Sequence, residues 1–466
     1  MRPDDGKQKH AATVLIYICR FQVKKIEASY RDIWKLAAPI IGGSLAQTAL
    51  NITDTAFLGR VGETELGAAA LAGVYYLVLV MMGIAIGTSA QILIARREGE
   101  GYHQAIGQIF DHTFIIQCTT SVVLWILLYG FTPWLFAWVI DRKEVLQKAL
   151  DYIEYRGWAI LPALIAGGCR GFFIGIARTG AITVASLLML IVNALLDYLL
   201  IFGKAGLPAM GIAGAGLASG LAELIAAVYL LSRALSKKHF NIYRLFAFAT
   251  ISFQQIKHIV ELAFPILMQN LISMGAWFLF FAFIENMGSR ELAVSNIVRA
   301  TYMILMTPMW GFSSAANSMT SNLIGQGKSY QIFLLLRKIV AMSLGMSLMV
   351  GVPFALFPGV VLRLVTDDIT LIDASRATYY VTCAALLVFS ISLILFSAVA
   401  GTGNTRIAFW IELINILIYL MYVYACVHVW KTSLEWVWAS EILYWLLMGI
   451  LSYAYLRSDH WRKIRI

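Results

Sequence analysis

The chain has 466 residues, of which 60% are hydrophobic and only 13% charged, with a net charge of +10. Soluble domains carry about 25% charged residues, so a water-soluble globular fold is excluded and length here measures membrane spans. The basic residues lie between apolar runs, so the positive charge gives no reason to expect a nucleic-acid partner.

Residues 1–31 are basic. The apolar run Ala11 to Ile18 is shorter than the roughly 20 residues that cross a bilayer. Cys19-Arg20-Phe21-Gln22 follows it in place of a small-residue cleavage site. The segment is expected to be a cytoplasmic tail. Apolar runs then fall at 33–57, 70–95, 112–139, 157–177, 181–203 and 211–232, and again at 257–284, 296–323, 332–357, 376–399, 406–429 and 434–456. Barrel strands would be about ten residues long and alternating. A backbone in lipid must satisfy its own hydrogen bonds, so runs of this length are helices. The expected fold is an all-α integral membrane protein of twelve transmembrane helices in two parallel six-helix repeats. The expected division is a tail at 1–31, a six-helix lobe at 32–232, a linker at 233–256, a second lobe at 257–456 and a basic tail at 457–466.

Span one places Gln47, Asn51 and Asp54 at steps of four and three, on one helix face. Span five places Asn193 and Asp197 four apart, and span six does the same with Ser219 and Glu223. An ionisable residue at mid-membrane costs a few kcal/mol, which makes it a functional candidate. The alternative for each pair is a structural polar clamp between helices, and it weighs most for Glu223. The second half supplies Gln269, Asn270, Ser273, Ser313, Ser314, Asn317 and Ser318. No deep acid is expected there, and Glu285 and Glu412 are expected at solvated span ends. Met268, Trp277, Phe278, Phe280, Phe281, Met303, Met306 and Trp310 suit a wall for varied hydrophobic cations. The alternative for each is contact with lipid or a neighbouring helix. The candidate substrate contacts are Gln47, Asn51, Gln269, Ser273, Trp277, Met306 and Asn317.

Most of the Lys and Arg, including Arg96, Arg97, Arg233, Lys237, Lys238, Arg337, Lys338 and Arg457, fall on one side of the spans. By the positive-inside rule both termini are cytoplasmic and the 141–151 loop is outside. A shift of about 226 residues matches Pro39-Ile40 to Pro265-Ile266, Gly62 to Gly288, Glu65-Leu66 to Glu291-Leu292, and Gly99 and Gly101 to Gly325 and Gly327. A slightly smaller shift pairs Thr179-Gly180 with Thr402-Gly403 and Asn193 with Asn415. Parallel repeats of six helices form a transporter architecture. The five scattered cysteines and seven histidines form no metal or redox motif. No cofactor and no enzyme chemistry is expected.

These residues resemble the multidrug and toxic compound extrusion (MATE) family over about 30–456. The likeness rests on Pro39, Asp54-Thr55 and Gly59, on the GETELGA run Gly62 to Ala68, and on the GIARTG run Gly175 to Gly180. Asn193, Asp197 and Gly214-Ala215-Gly216 complete it. The resemblance implies an antiporter with two lobes around a V-shaped cavity, which expels cationic or amphiphilic compounds in exchange for protons or sodium ions. Within the family the acids resemble the DinF-like branch. There the counterparts of Asp54, Asn193 and Asp197 bind the coupling ion, with a hydroxyl at Ser219, where threonine is more usual. The NorM-like and eukaryotic branches place acids in spans seven and ten, and span ten here, Arg376 to Ala400, has none. On this reading an outward-open site takes a proton on Asp54 or Asp197, which weakens cation binding and releases the substrate. Glu223 is carried as a further ion-coupling candidate, and sodium at Asp54, Asn193 and Asp197 is the alternative ion. A monomer in contact with membrane lipid, in a bacterial inner membrane, is expected. The rival functions are a lipid or lipid-linked sugar flippase of the same superfamily, and a membrane enzyme or sensor.

Overall fold

Each apolar run forms a helix, because no water is present in the bilayer core to bond an open backbone. The computed structural model describes residues 26–236, 241–248 and 251–463. Lys237, Lys238 and most of the 1–31 tail lie outside the described residues. The spanning helices are α1 (Tyr30–Gly59), α2 (Glu63–Glu100), α3 (His103–Gly130), α4 (Lys143–Gly175), α5 (Gly180–Phe202) and α6 (Ile212–Ala234). The second half contains α7 (Phe253–Glu285), α8 (Ser289–Gly325), α9 (Ile332–Leu356), α10 (Ile369–Gly401), α11 (Thr405–Val429) and α12 (Leu434–Arg457). Short helices Thr132–Val139 and Pro358–Arg363 precede α4 and α10. Among the described residues no strand occurs.

Ten of these helices are long and apolar enough to cross a membrane. The other two, α1 and α8, have 30 and 37 residues but are more polar. Their polarity is a stripe: Gln47, Thr48, Asn51 and Asp54 on α1, and Ser313, Asn317, Ser321 and Asn322 on α8. The repeat is visible in the helix ends. Gly59, Glu100 and Gly130 close α1, α2 and α3, and Glu285, Gly325 and Leu356 close α7, α8 and α9, offset by 226 residues to within one.

Hydropathy misplaces several helix starts. The structure begins α2 at Glu63 rather than 70, α3 at His103 rather than 112, and α4 at Lys143 rather than 157. Charged residues near the membrane faces lower the apolar average yet continue the helix. The expected 141–151 loop is therefore mostly the first turns of α4. That helix runs from Lys143 to Arg156, tightens into a 3-10 turn at Gly157–Ala159, and resumes at Ile160.

Pro39 sits inside α1 and has no N–H to give the Lys35 carbonyl. The Thr179 hydroxyl, at the start of α5, donates to the carbonyls of Lys35 (3.4 Å) and Leu36 (3.0 Å). Thr183 donates to the Pro39 carbonyl at 2.6 Å. Backbone carbonyls beside the proline are thus used to fasten α1 along α5.

The two halves are latched at the end where α2 and α8 finish. Gln91 Nε2 donates to Asn317 Oδ1 at 3.0 Å, Ser321 to the Ile92 carbonyl at 2.7 Å, and Asn322 to the Ala95 carbonyl at 3.1 Å. Arg96 donates to the Thr402 carbonyl at 2.9 Å. Gly99 packs its Cα against the Asn322 carbonyl and Gly325 against that of Arg96, so closely that a Cβ at either would overlap backbone. The described part of the connection between the halves is docked against α3. Asp111 on α3 accepts from the backbone of Phe246 (2.7 Å) and Phe248 (3.0 Å), and His112 Nε2 accepts from Ser252 N (2.9 Å).

Candidate functional site

Four of the five ion-coupling candidates come together in the first half. Asn193 and Asp197 lie on one face of α5 and are 0% exposed; Ser219 on α6 is 6% exposed. Asn193 Nδ2 donates to Ser219 Oγ at 3.2 Å, and Ser219 donates onward to Asp54 Oδ2 at 3.4 Å. The carboxyl groups of Asp54 and Asp197 face each other within interaction range. Asp54 Oδ1, Asn193 Oδ1 and both Asp197 oxygens have no hydrogen-bond donor among the described residues. Buried polar atoms are normally satisfied. Four orphan acceptors in one cluster are what a proton or a small cation would serve.

Glu223 is placed differently. It accepts from Arg156 Nη2 at 2.6 Å and from the Tyr76 hydroxyl at 3.1 Å, and the Arg156 guanidinium lies over the Tyr76 ring at 4.5 Å. Its charge is neutralised by a full ion pair. The pair still borders the cluster, because Arg156 lies within electrostatic range of Asp54 and Asp197. Its Nε and Nη1 have no acceptor among the described residues. Sequence reasoning missed Arg156 because span four was expected to start one residue later. The available signal was a lone arginine that continues the charged helical pattern from Lys143 into the apolar run.

The candidate substrate residues separate into two groups. Gln47 and Asn51 on α1, with Gln269, Ser273 and Trp277 on α7, are exposed or half-buried. Asn317 is buried and spent on the latch, donating also to the Ser397 carbonyl at 3.3 Å. Met306 is packed in the apolar core of the second half, as is Phe280. Thr48 and Thr307 approach to 3.5 Å where α1 passes α8.

Two acids contradict the sequence reading of the second half. Glu412, expected at a solvated span end, is 3% exposed, and its Oε1 accepts from Ser273 and from the Tyr444 hydroxyl (2.6 Å). Glu441 was missed; it is 3% exposed and accepts from Tyr419 (3.3 Å) and from Trp445 Nε1 (3.2 Å). Both lie where α11 and α12 pack together, and apolar flanks do not reveal which way a lone acid faces. Glu285 is exposed, as expected.

The MatE family model matches residues 39–199 and 265–425, two blocks offset by the same 226 positions. A probable multidrug resistance protein NorM of Thermotoga maritima is 24% identical over 453 residues, 96% of each chain. One of Rhizobium meliloti is 26% identical over 340 residues, 71% of this chain and 70% of that one. Among solved structures, a MATE crystal structure in complex with MaL6 superposes with a TM-score of 0.88 at 18% identity, covering 94% of this chain and 97% of that one. An outward-facing multidrug resistance MATE family transporter of the MOP superfamily gives 0.86 at 18% identity, covering 92% and 95%. The repeated six-helix halves, the matched blocks and the shared fold place this chain in the MatE family of multi-pass membrane transporters.

Proposed function

We propose that this chain is a multidrug efflux antiporter of the DinF-like kind, which exports cationic or amphiphilic small organic compounds in exchange for protons. The NorM relatives, named as multidrug resistance proteins, support the efflux reading. The observation that carries the coupling is the orphaned cluster: two facing carboxyl groups, with both Asp197 oxygens lacking a donor. Two carboxylates within interaction range repel, and one shared proton removes the repulsion. The Arg156 guanidinium within range of both acids opposes a proton and a sodium ion alike; we choose the proton because two carboxyl groups can share one without further ligands.

The cycle follows from charge. With both acids ionised, the site attracts a cationic substrate. A proton arriving on the Asp54–Asp197 pair cancels the attraction, and the substrate leaves on the side that supplies protons. Asn193 and Ser219 hold the two acids in register. A proton moving down a membrane potential supplies about 2.3 kcal/mol per 100 mV. The proposed setting is a monomer in a bacterial inner membrane with both termini in the cytoplasm.

The test is dye efflux from proteoliposomes under separately imposed proton and sodium gradients. Asp197→Asn keeps size and polarity but cannot cycle a charge. Proton-driven efflux should fall to background in this variant, Asp54→Asn should match it, and Asp197→Glu should retain more activity. Wild-type efflux from Asp197→Asn would sink the assignment. Efflux driven only by sodium would transfer the site to that ion.

A further inference from the structure

The offset that carries Asn193 onto Asn415, 222 positions, also carries Asp197 onto Tyr419 and Ser219 onto Glu441. The equivalent place in the second half has therefore exchanged its acid. Tyr419 donates to Glu441 and stacks on Phe280 at 5.9 Å. Tyr444, 5.5 Å from Tyr419 ring to ring, donates to Glu412. Asn415 Nδ2 is bonded to the Tyr444 carbonyl at 2.9 Å, while its Oδ1 has no donor among the described residues.

Glu412 differs from Glu223 in having no counter-charge among the described residues. Ser273 from α7 and Tyr444 from α12 are the groups that act on it. Glu441 stands behind Tyr444, and no charged side chain from α10 acts on Glu412. Its Oε2 is buried and has no donor among the described residues. Ser273 supplies the decisive stereochemistry. Its hydroxyl contacts both the Gln269 carbonyl (2.9 Å) and Glu412 Oε1. A hydroxyl has one proton and a carbonyl can only accept. If the serine proton goes to Gln269, a hydrogen bond to Glu412 needs a proton from the acid. If Glu412 is ionised, the serine hydrogen turns from Gln269 to serve it, with the oxygen in place. Ser273 is half-buried on the α7 wall, among the candidate substrate contacts.

We propose that Glu412 is a second proton-exchange site, in the second half, which communicates with the substrate cavity through the Ser273 hydroxyl. The site alternates between a carboxylate that accepts from Ser273 and Tyr444 and a carboxylic acid that donates to the Ser273 oxygen. On release, the Glu412 proton passes to the Ser273 oxygen as the serine gives its own proton to cavity water, leaving a carboxylate bonded by Ser273 and Tyr444. The serine hydrogen's departure leaves the Gln269 carbonyl on α7 free to accept from a substrate donor, so protonation at Glu412 and substrate contact at α7 are linked. This inference rests on the antiport reading for its role in transport. The site's titration can be read independently of transport.

The experiment is infrared difference spectroscopy of the purified full chain in lipid, stepped across pH, beside proton-to-substrate counting in proteoliposomes. Wild type should show a protonated-carboxyl C=O band that Glu412→Gln removes and Asp197→Asn retains. Ser273→Ala, which deletes one partner and no acid, should shift that band and its midpoint. Glu412→Gln should lower the protons moved per substrate, whereas Asp197→Asn abolishes coupling. A spectrum in which Glu412→Gln removes no titrating band, with Ser273→Ala also silent, overturns the proposal. If Asp197→Asn leaves coupling intact while Glu412→Gln removes the band and the coupling, the first-half assignment fails and this one stands.

Discussion

Arg156 and Glu223 show at the residue scale how a buried ion pair differs from a buried titratable acid. Glu223 is satisfied by a guanidinium and a phenol, while Asp197 has neither. Breaking a buried pair leaves an uncompensated charge, which costs about 3–5 kcal/mol, whereas replacing both partners is often neutral. Arg156→Met is therefore expected to lower the thermal midpoint of the purified protein sharply, and Arg156→Met with Glu223→Gln to recover most of the loss. A thermal-shift series on the two variants checks this; an Arg156→Met as stable as wild type would mean that the pair is solvated. Asp197→Asn should move the midpoint up or not at all, because it removes a buried acid that no donor serves. The i, i+4 spacing made Asn193 and Asp197 legible as one face, and the family resemblance, not spacing, joined Asp54 on α1 to them. Arg156 and Glu412 were not legible, because facing is decided by packing: one lay a residue outside an apolar window and the other looked like a span end.

Among the elements, the latch between α2 and α8 depends on backbones in contact. Gly99→Val would force a side chain into the Asn322 carbonyl, and backbone there cannot yield cheaply. The variant is expected to fold, because no residue of the apolar core is removed, but to populate the latched arrangement less. Cysteines introduced at Ile92 and Ser321, both buried at the latch, should then react faster with a thiol reagent than in wild type. Equal rates would show that the latch tolerates the added volume. The sequence showed these glycines as a repeat signature without showing that they touch. Contact between residues 226 apart has no local signal. The polar stripes of α1 and α8 were legible for the opposite reason, since helical periodicity is local.

Orientation belongs to the whole molecule. Asn241 in the docked connection and Lys143 at the start of α4 are both exposed and should lie on opposite sides of the membrane. In intact cells carrying a variant without native cysteines, an impermeant reagent should label Lys143→Cys and spare Asn241→Cys; the reverse pattern would invert the topology. The number of spans was legible from hydropathy, and the helix starts were not, because charged turns at the membrane faces are still helix. The latch contacts also have a reciprocity. Gly99 meets the carbonyl of Asn322 while Gly325 meets that of Arg96, and in the repeat Gly99 corresponds to Gly325 and Arg96 to Asn322. Gln91 bonds directly to Asn317, its own counterpart. An interface in which i touches j and j touches i is what two identical chains make around a two-fold axis. Two copies of a half-length polypeptide would make the glycine contact twice and the contact at Gln91 once, on the axis. Once the halves are encoded in one gene, each side can change alone, so Gln91 can face an asparagine, and an acid can leave the place of Asp197 for that of Ser219.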